Sequence, residues 1–307
     1  MKLYYCDDHA IPLPPGHRFP AGKYRLLREA LAAFGGFEFE AAPFASREMI
    51  ELVHDPEYVG GFLDGSVDPQ IMRRIGFPWS AGLVRRTLAS VGATLSAARD
   101  ALDVGIGGTL AGGTHHAFRA EGAGFCVFND IAIAIRDLLA RGRVERAAVV
   151  DLDVHQGDGT ALLFEDDPAV LTVSLHGGAN FPFRKQRSGI DVEFADGTGD
   201  EEYLDTLDRM LPLVFDFRPQ IVFYQSGVDA LGSDRLGRLA LSPAGLRRRD
   251  EMVLRSCLSR GIPVVVTLGG GYSEQISLTV DAHATTFRLA LENLRCYHQE
   301  YRVVPGV

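Results

Sequence analysis

Four short runs rich in β-branched residues, AAVV (147 to 150), VLTVSL (170 to 175), IVFYQ (221 to 225) and PVVVTL (263 to 268), constrain this chain most. They are short and predominantly apolar, the pattern of parallel strands buried on both faces. Stretches of helical period precede and separate them. Residues 129 to 139 and 203 to 214 carry apolar side chains at that spacing, and Ser242-Pro243 opens a further helix as N-cap plus first-turn proline, stopped by Gly261. This order predicts an α/β fold: a single three-layer αβα domain over residues 1–307 with a central, mostly parallel sheet. Sites in such sheets form beyond the carboxyl ends of the strands.

The chain has 307 residues, enough to bury about 75% of the surface its unfolded form exposes. A metal is therefore not needed for folding and would serve chemistry. Glycine supplies 34 positions, above the usual roughly 7%, and the excess falls after predicted strands, in loops. No repeat or low-complexity stretch divides the sequence. Thirty-one basic against forty acidic side chains give a net charge of −9, the wrong sign for gripping a nucleic-acid backbone. Cys6, Cys126, Cys257 and Cys296 form no CxxC pair, which argues against a disulfide framework or a thiolate zinc site. The start MKLYYCDD places acids where a signal peptide needs an apolar run, and no stretch approaches the ~18 apolar residues of a membrane span. A cytoplasmic location, with neither membrane nor nucleic acid as partner, is the expectation.

After AAVV the chain reads Asp151-Leu152-Asp153-Val154-His155-Gln156-Gly157-Asp158. Such an acid-rich stretch is costly in a core unless its charges bind something. In extended chain, Asp153 and His155 point to one side and offer a carboxylate and an imidazole to a metal. IVFYQ leads to Asp229, a third ligand that would complete an Asp2His site with one position open for water. Solvated loop acids or helix caps are the alternative. His115 and His116 follow the glycine-dense GIGGTLAGG (105 to 113), whose backbone can turn sharply and approach closely. They are either proton carriers, with Asp151 and Asp158 as backing carboxylates, or loop histidines. Gly269-Gly270-Gly271-Tyr272 follows PVVVTL and reads as an oxyanion stabiliser or as a flexible turn with a packed tyrosine.

Taken together, these segments resemble the zinc-dependent histone deacetylase family of the arginase/deacetylase superfamily. The likeness is carried by GGTHHAFRAEGAGFCVFNDIAIA (112 to 134), DLDVHQGDG (151 to 159), LTVSLH (171 to 176), SGVDALGSDRLGRLALSPAGLRRRDE (226 to 251) and TLGGGY (267 to 272), in the family's order. HRFPAGKYRLL (17 to 27) and VHDPEYV (53 to 59) look like its amino-terminal signatures. DRLGRLALSPAG, and Gln156 where class I enzymes usually have a second histidine, are most similar to class IV and its bacterial relatives.

The resemblance implies that Asp153, His155 and Asp229 hold zinc, with ferrous iron as the other candidate metal. It makes His115 and His116 the tandem histidines, paired with Asp151 and Asp158, and Tyr272 the group that polarises the scissile carbonyl. Phe125 and Phe181, with Gly124 and Gly270, match the channel for an acyl-lysine side chain, and Cys126 lies beside its inner end. It further implies potassium sites, one from Asp151, Asp153, His155, Ser174 and Leu175, another from main-chain oxygens near Phe164, Asp167 and Val170. Lys23 stands where many members have an arginine beneath the site, and lysine lacks that planar fork. Gly157 and Leu231 occupy positions where a two-metal arginase-like site needs acids, so one catalytic ion and amide hydrolysis follow. The expected reaction removes an acyl group, acetyl or longer, from the side-chain amine of lysine, carried by a protein or a small molecule. Alternatives are an acetylpolyamine or other small N-acyl amine as substrate, a non-catalytic acyl-lysine binder, and a scaffold that keeps the fold without the pocket.

Overall fold

The computed structural model describes residues 1–301. Eight strands form one sheet: β1 (Lys2–Tyr5), β2 (Glu38–Ala41), β3 (Ile106–Thr109), β4 (Ala147–Asp151), β5 (Val170–Gly177), β6 (Ile190–Phe194), β7 (Ile221–Ser226) and β8 (Val264–Leu268). Their spatial order is β2-β1-β3-β8-β7-β4-β5-β6, and every pairing is parallel. Helices α1 (Lys23–Phe34), α2 (Arg47–Ile50), α3 (Pro56–Asp64), α4 (Pro69–Ile75), α5 (Ala81–Val104), α6 (Asp130–Ala140), α7 (Asp158–Leu163), α8 (Asp200–Asp216), α9 (Pro243–Leu258) and α10 (Ile276–Tyr301) connect them.

Side-chain alternation explains why the central strands are predominantly apolar. In β4, Ala147 and Val149 enter the core under α5 and α6, whereas Ala148 and Val150 enter the one under α8, α9 and α10. Ile221 and Phe223 against Val222 and Tyr224 divide β7 in the same way. The three-layer α/β arrangement is the one expected. Ser242 caps α9 by accepting from the Gly245 N–H, and Pro243 sits in its first turn. Among the described residues, no helix is long and apolar enough to cross a membrane.

Part of the glycine-dense segment departs from the loop reading, because Ile106–Thr109 is the strand β3. A Cβ on Gly107 would overlap the Ala97 carbonyl of α5, so the missing side chain lets that helix lie against the sheet. The edge strand β2, EFEA, is mostly exposed and has too little apolar content to be read as a strand.

Because β3, β8, β7 and β4 are neighbours, the four loops leaving their carboxyl ends meet at one place. Arg249 of α9, fully buried, pins two of those loops: Nη1 donates to the Leu152 carbonyl at 3.2 Å and to that of Gly227 at 2.6 Å. Its Nε and Nη2 donate to Asp250 Oδ1 at 2.9 and 2.7 Å, and Asp250 also accepts from the hydroxyls of Tyr224 and Thr286. Removing one partner of a buried pair leaves the other charge unanswered, at about 3–5 kcal/mol. Arg249→Leu is expected to lower the urea unfolding free energy by that amount, with a loss below about 1 kcal/mol contradicting this account.

Candidate active site

Beyond β4 the chain bends at once. Asp153 and His155 therefore lie past the strand, and they converge through a turn instead of the strand alternation the sequence suggests. Asp151 Oδ1 accepts from the Asp153 N–H at 3.1 Å, and Asp153 Oδ1 accepts from the His155 N–H at 3.0 Å. Asp229, three residues past β7, crosses to meet them, its Oδ1 accepting from the Val154 N–H at 3.0 Å. His155 Nδ1 faces Asp153 Oδ1 at 3.0 Å and Asp229 Oδ2 at 3.1 Å.

Both carboxylates are buried, and one ligating atom from each of the three residues lies within 4.8 Å of the others. Burial first and the Asp153 charge second push the Asp229 carboxyl up to about 7. A divalent cation answers both effects, so the donor set fits such an ion. Gly270 closes the site from β8: its N–H donates to Asp153 Oδ2 at 2.7 Å, and a Cβ there would overlap the Asp229 carboxylate. This residue, expected as channel wall, both lines the cleft and roofs the carboxylates. Gly157 and Leu231 offer no ligand for a second ion.

The histidine pair faces this group, with the rings of His116 and His155 6.1 Å apart. His115 Nδ1 lies 2.6 Å from Asp151 Oδ2, and His116 Nδ1 lies 2.7 Å from Asp158 Oδ1. With Nδ1–H assigned to the carboxylate by this contact, His116 keeps Nε2 as an acceptor. Burial, followed by the neighbouring His115 charge, lowers its pKa to about 4, so His116 is neutral at pH 7 and free to take a proton. At His115 burial acts in the same sense, but the Asp151 carboxylate outweighs it and the pKa rises to about 9.

Polar side chains not singled out in the sequence hold this loop. Asp130, opening α6, accepts from the N–H groups of Gly113 at 3.0 Å and Thr114 at 2.7 Å, and Gln225 Nε2 donates to the Gly113 carbonyl at 3.0 Å. His54, from the VHDPEYV segment, accepts from the Asn129 N–H at 2.8 Å, while its other ring nitrogen lies 2.8 Å from the Phe118 carbonyl. A glutamine ending an apolar strand and an aspartate opening an apolar helix were the available signals.

A cleft of about 520 Å³ leads to the site, with Phe125, Phe181, Gly124, Cys126 and Tyr272 among its walls. Phe125 is held at φ +66°, its N–H donating to the Ile75 carbonyl at 2.7 Å. Phe181 packs edge-on against His116 at 5.0 Å. Gln156 ties the Phe181 segment down: Nε2 donates to the Gln186 carbonyl and Asp191 Oδ1, both at 2.8 Å, and Oε1 accepts from the Gln186 N–H at 2.8 Å. Burial raises the Cys126 thiol pKa, so it is no thiolate nucleophile.

Tyr272 packs 6.1 Å from Phe125, and burial raises its phenol pKa, leaving it a hydrogen-bond donor. Lys23 lies buried beneath, its Nζ donating to the Gly269 and Gly270 carbonyls, and burial lowers its pKa to about 8. It thus braces the glycine turn that carries Tyr272. Of the residues expected to hold potassium, Asp151 and Ser174 are direct partners across β4 and β5, next to Leu175. Phe164, Asp167 and Val170 are joined by two successive turns leading into β5, where the Phe164 and Asp167 carbonyls accept from the N–H groups of Asp167 and Val170 at 3.1 and 3.2 Å.

Two buried carboxylates and an imidazole facing carboxylate-backed histidines, at the carboxyl edge of a parallel sheet, define a hydrolase site. Residues 17–287 match the histone deacetylase domain. The chain is 46% identical over 294 residues to an uncharacterized protein of Picosynechococcus sp., covering 94% of this chain and 98% of the relative. It is 39% identical over 269 residues to histone deacetylase 2 of Arabidopsis thaliana (83% and 70%) and 32% identical over 306 residues to a probable deacetylase of Archaeoglobus fulgidus (89% and 80%). The chain belongs to the histone deacetylase family of deacetylases and amidohydrolases, and is a hydrolase.

Proposed function

We propose that the protein hydrolyses the amide between an acyl group, acetyl or longer, and the side-chain amine of lysine. The observation that carries this reading is the convergence of Asp153, His155 and Asp229 opposite His116 at the base of an aromatic-walled cleft. Those three side chains would hold one divalent ion, zinc in our reading, which when bound supplies Lewis acidity toward the carbonyl and water oxygens.

The chain's own groups account for the remaining steps. His116 Nε2 takes the proton of the attacking water and returns it to the leaving amine, while Asp158 fixes its tautomer and orientation. His115, charged beside Asp151, adds a fixed positive field. The Tyr272 hydroxyl donates to the carbonyl oxygen as charge develops there. Phe125 and Phe181 flank the apolar stem of the lysine and exclude water. We also infer a structural potassium ion behind β4, near the Asp151 and Ser174 oxygens.

Acyl-lysine and acetylpolyamine turnover, measured on one sample whose metal content is determined by elemental analysis, tests the reading. Expected are about one zinc per chain and faster release from acyl-lysine than from acetylpolyamine. Binding without turnover in zinc-loaded protein would instead make this an acyl-lysine binder.

A further inference from the structure

The rim of the cleft has the opposite charge to the protein as a whole. Net charge is −9, yet Arg18, Arg73, Arg74 and Arg238 all line the cleft, and among the described residues its only carboxylates are the deep pair Asp153 and Asp229. Both aromatic walls carry this charge. On the Phe125 side, the Arg74 carbonyl accepts from the Gly124 N–H at 3.1 Å, which places the end of α4, with Arg73 and Arg74, against that wall. His17, next to Arg18, lies 2.9 Å from the Gly76 carbonyl at the same end. Across the cleft, Asn180 precedes Phe181 and accepts from the Arg238 N–H at 3.3 Å.

The four arginines are exposed, and two have acidic neighbours: Arg74 pairs with Glu121, and Arg238 with Asp196 at 3.1 Å. Exposed pairs of this kind contribute little, so a ligand carboxylate can replace either partner. Arg18 and Arg73 have no carboxylate partner among the described residues. A charged ring around a cleft with apolar walls focuses the field outward and raises the encounter rate of oppositely charged ligands.

Resting on the deacylase reading, we propose that the partner is an acidic peptide segment: an N-acyl-lysine flanked by aspartate or glutamate, whose carboxylates meet the arginine rim while the acyl-lysine enters between Phe125 and Phe181. The same ring repels polycations, which sets acetylpolyamines and lysine-rich tails among the poor substrates.

The test measures kcat/KM of the metal-loaded full chain on two acetyl-lysine peptides, one flanked by Asp and Glu and one by Lys and Arg. An uncharged capped acetyl-lysine amide, free acetyl-lysine and acetylspermidine complete the set. The acidic peptide is expected to lead the basic one by at least about tenfold at low salt. The gap should shrink as salt shortens the screening length from about 30 Å at 0.01 M to about 10 Å at 0.1 M. An Arg18→Glu, Arg73→Glu protein, checked for an unchanged melting temperature, should narrow or invert the ratio.

Equal values for the two peptides, or a preference indifferent to both salt and charge reversal, overturn the proposal. So does free acetyl-lysine performing as well as the acidic peptide, which would assign the rim to a small anion. Turnover of the capped amide without charge preference defeats this inference alone. No turnover of any acyl-lysine defeats it together with the deacylase reading.

Discussion

Asp229→Ala protein should emerge from dialysis with its metal content reduced to a small fraction of one ion per chain and no measurable hydrolase activity. The carboxylate being removed is fully buried, with Oδ2 3.1 Å from His155 Nδ1. Two ligands remain where a catalytic ion of this kind requires three protein groups. The same change also orphans the Val154 N–H, which Asp229 Oδ1 accepts at 3.0 Å, so loss of fold must be separated from loss of metal. Asp229→Asn does that. Its amide oxygen can still accept from Val154, but the charge that attracts the cation is gone. Elemental analysis and a melting curve with and without chelator then decide the matter. A ligand at about 1,000 times its dissociation constant stabilises the folded state by about 4.1 kcal/mol, so chelator should lower the wild-type melting temperature and leave both variants unmoved. Full metal content in Asp229→Asn would refute the ligand set.

How much of this was legible in the sequence follows from what each residue type advertises. Continuous β-branched runs identify β4, β5, β7 and β8 because a strand between two helical layers must be apolar on both faces. β3 is hidden by its glycines, which serve the close approach of α5 and suppress strand propensity. Asp153, His155 and Asp229 are visible as acids and an imidazole just beyond strands, but their convergence depends on two facts that spacing does not carry. One is that β7 and β4 are neighbours; the other is the bend that begins straight after Asp151.

Supporting residues are the least legible. Arg249 resembles any arginine on an exposed helical face, since it follows two others in the sequence LRRRDE. Only packing shows that its guanidinium lies between the Leu152 and Gly227 carbonyls. Lys23 sits in an amphipathic helix start and is placed beneath the site by the family resemblance alone, since its contact with the carbonyls of Gly269 and Gly270 spans almost 250 residues of chain. Gln156 is conspicuous by its place among acids, yet its work is mechanical: both ends of its amide fasten the segment that carries Phe181. The arginine rim is diluted in the composition by forty acids placed elsewhere.

Tyr272→Phe is expected to lower kcat by about 10²–10³ while leaving KM and fold nearly unchanged, the size seen when one preorganised oxyanion donor is lost. The change deletes a single oxygen. The backbone that positions the ring stays held, because the Tyr272 N–H donates to Asp234 Oδ2 at 2.5 Å and its carbonyl accepts from Arg235 Nε at 3.0 Å. Gly271 at φ +88° sets the turn, and Lys23 Nζ lies 5.4 Å from the ring centroid. None of these contacts uses the hydroxyl. A donor that acts only once the carbonyl oxygen gains charge affects kcat and kcat/KM equally, whereas one that merely helps hold the ground-state amide would raise KM and spare kcat. Steady-state kinetics on one acyl-lysine substrate distinguishes these patterns, with metal content and melting temperature measured on the same preparation. Wild-type kcat in a folded, metal-loaded Tyr272→Phe protein would remove the phenol from the mechanism and leave the bound cation and the histidine pair to stabilise the developing charge.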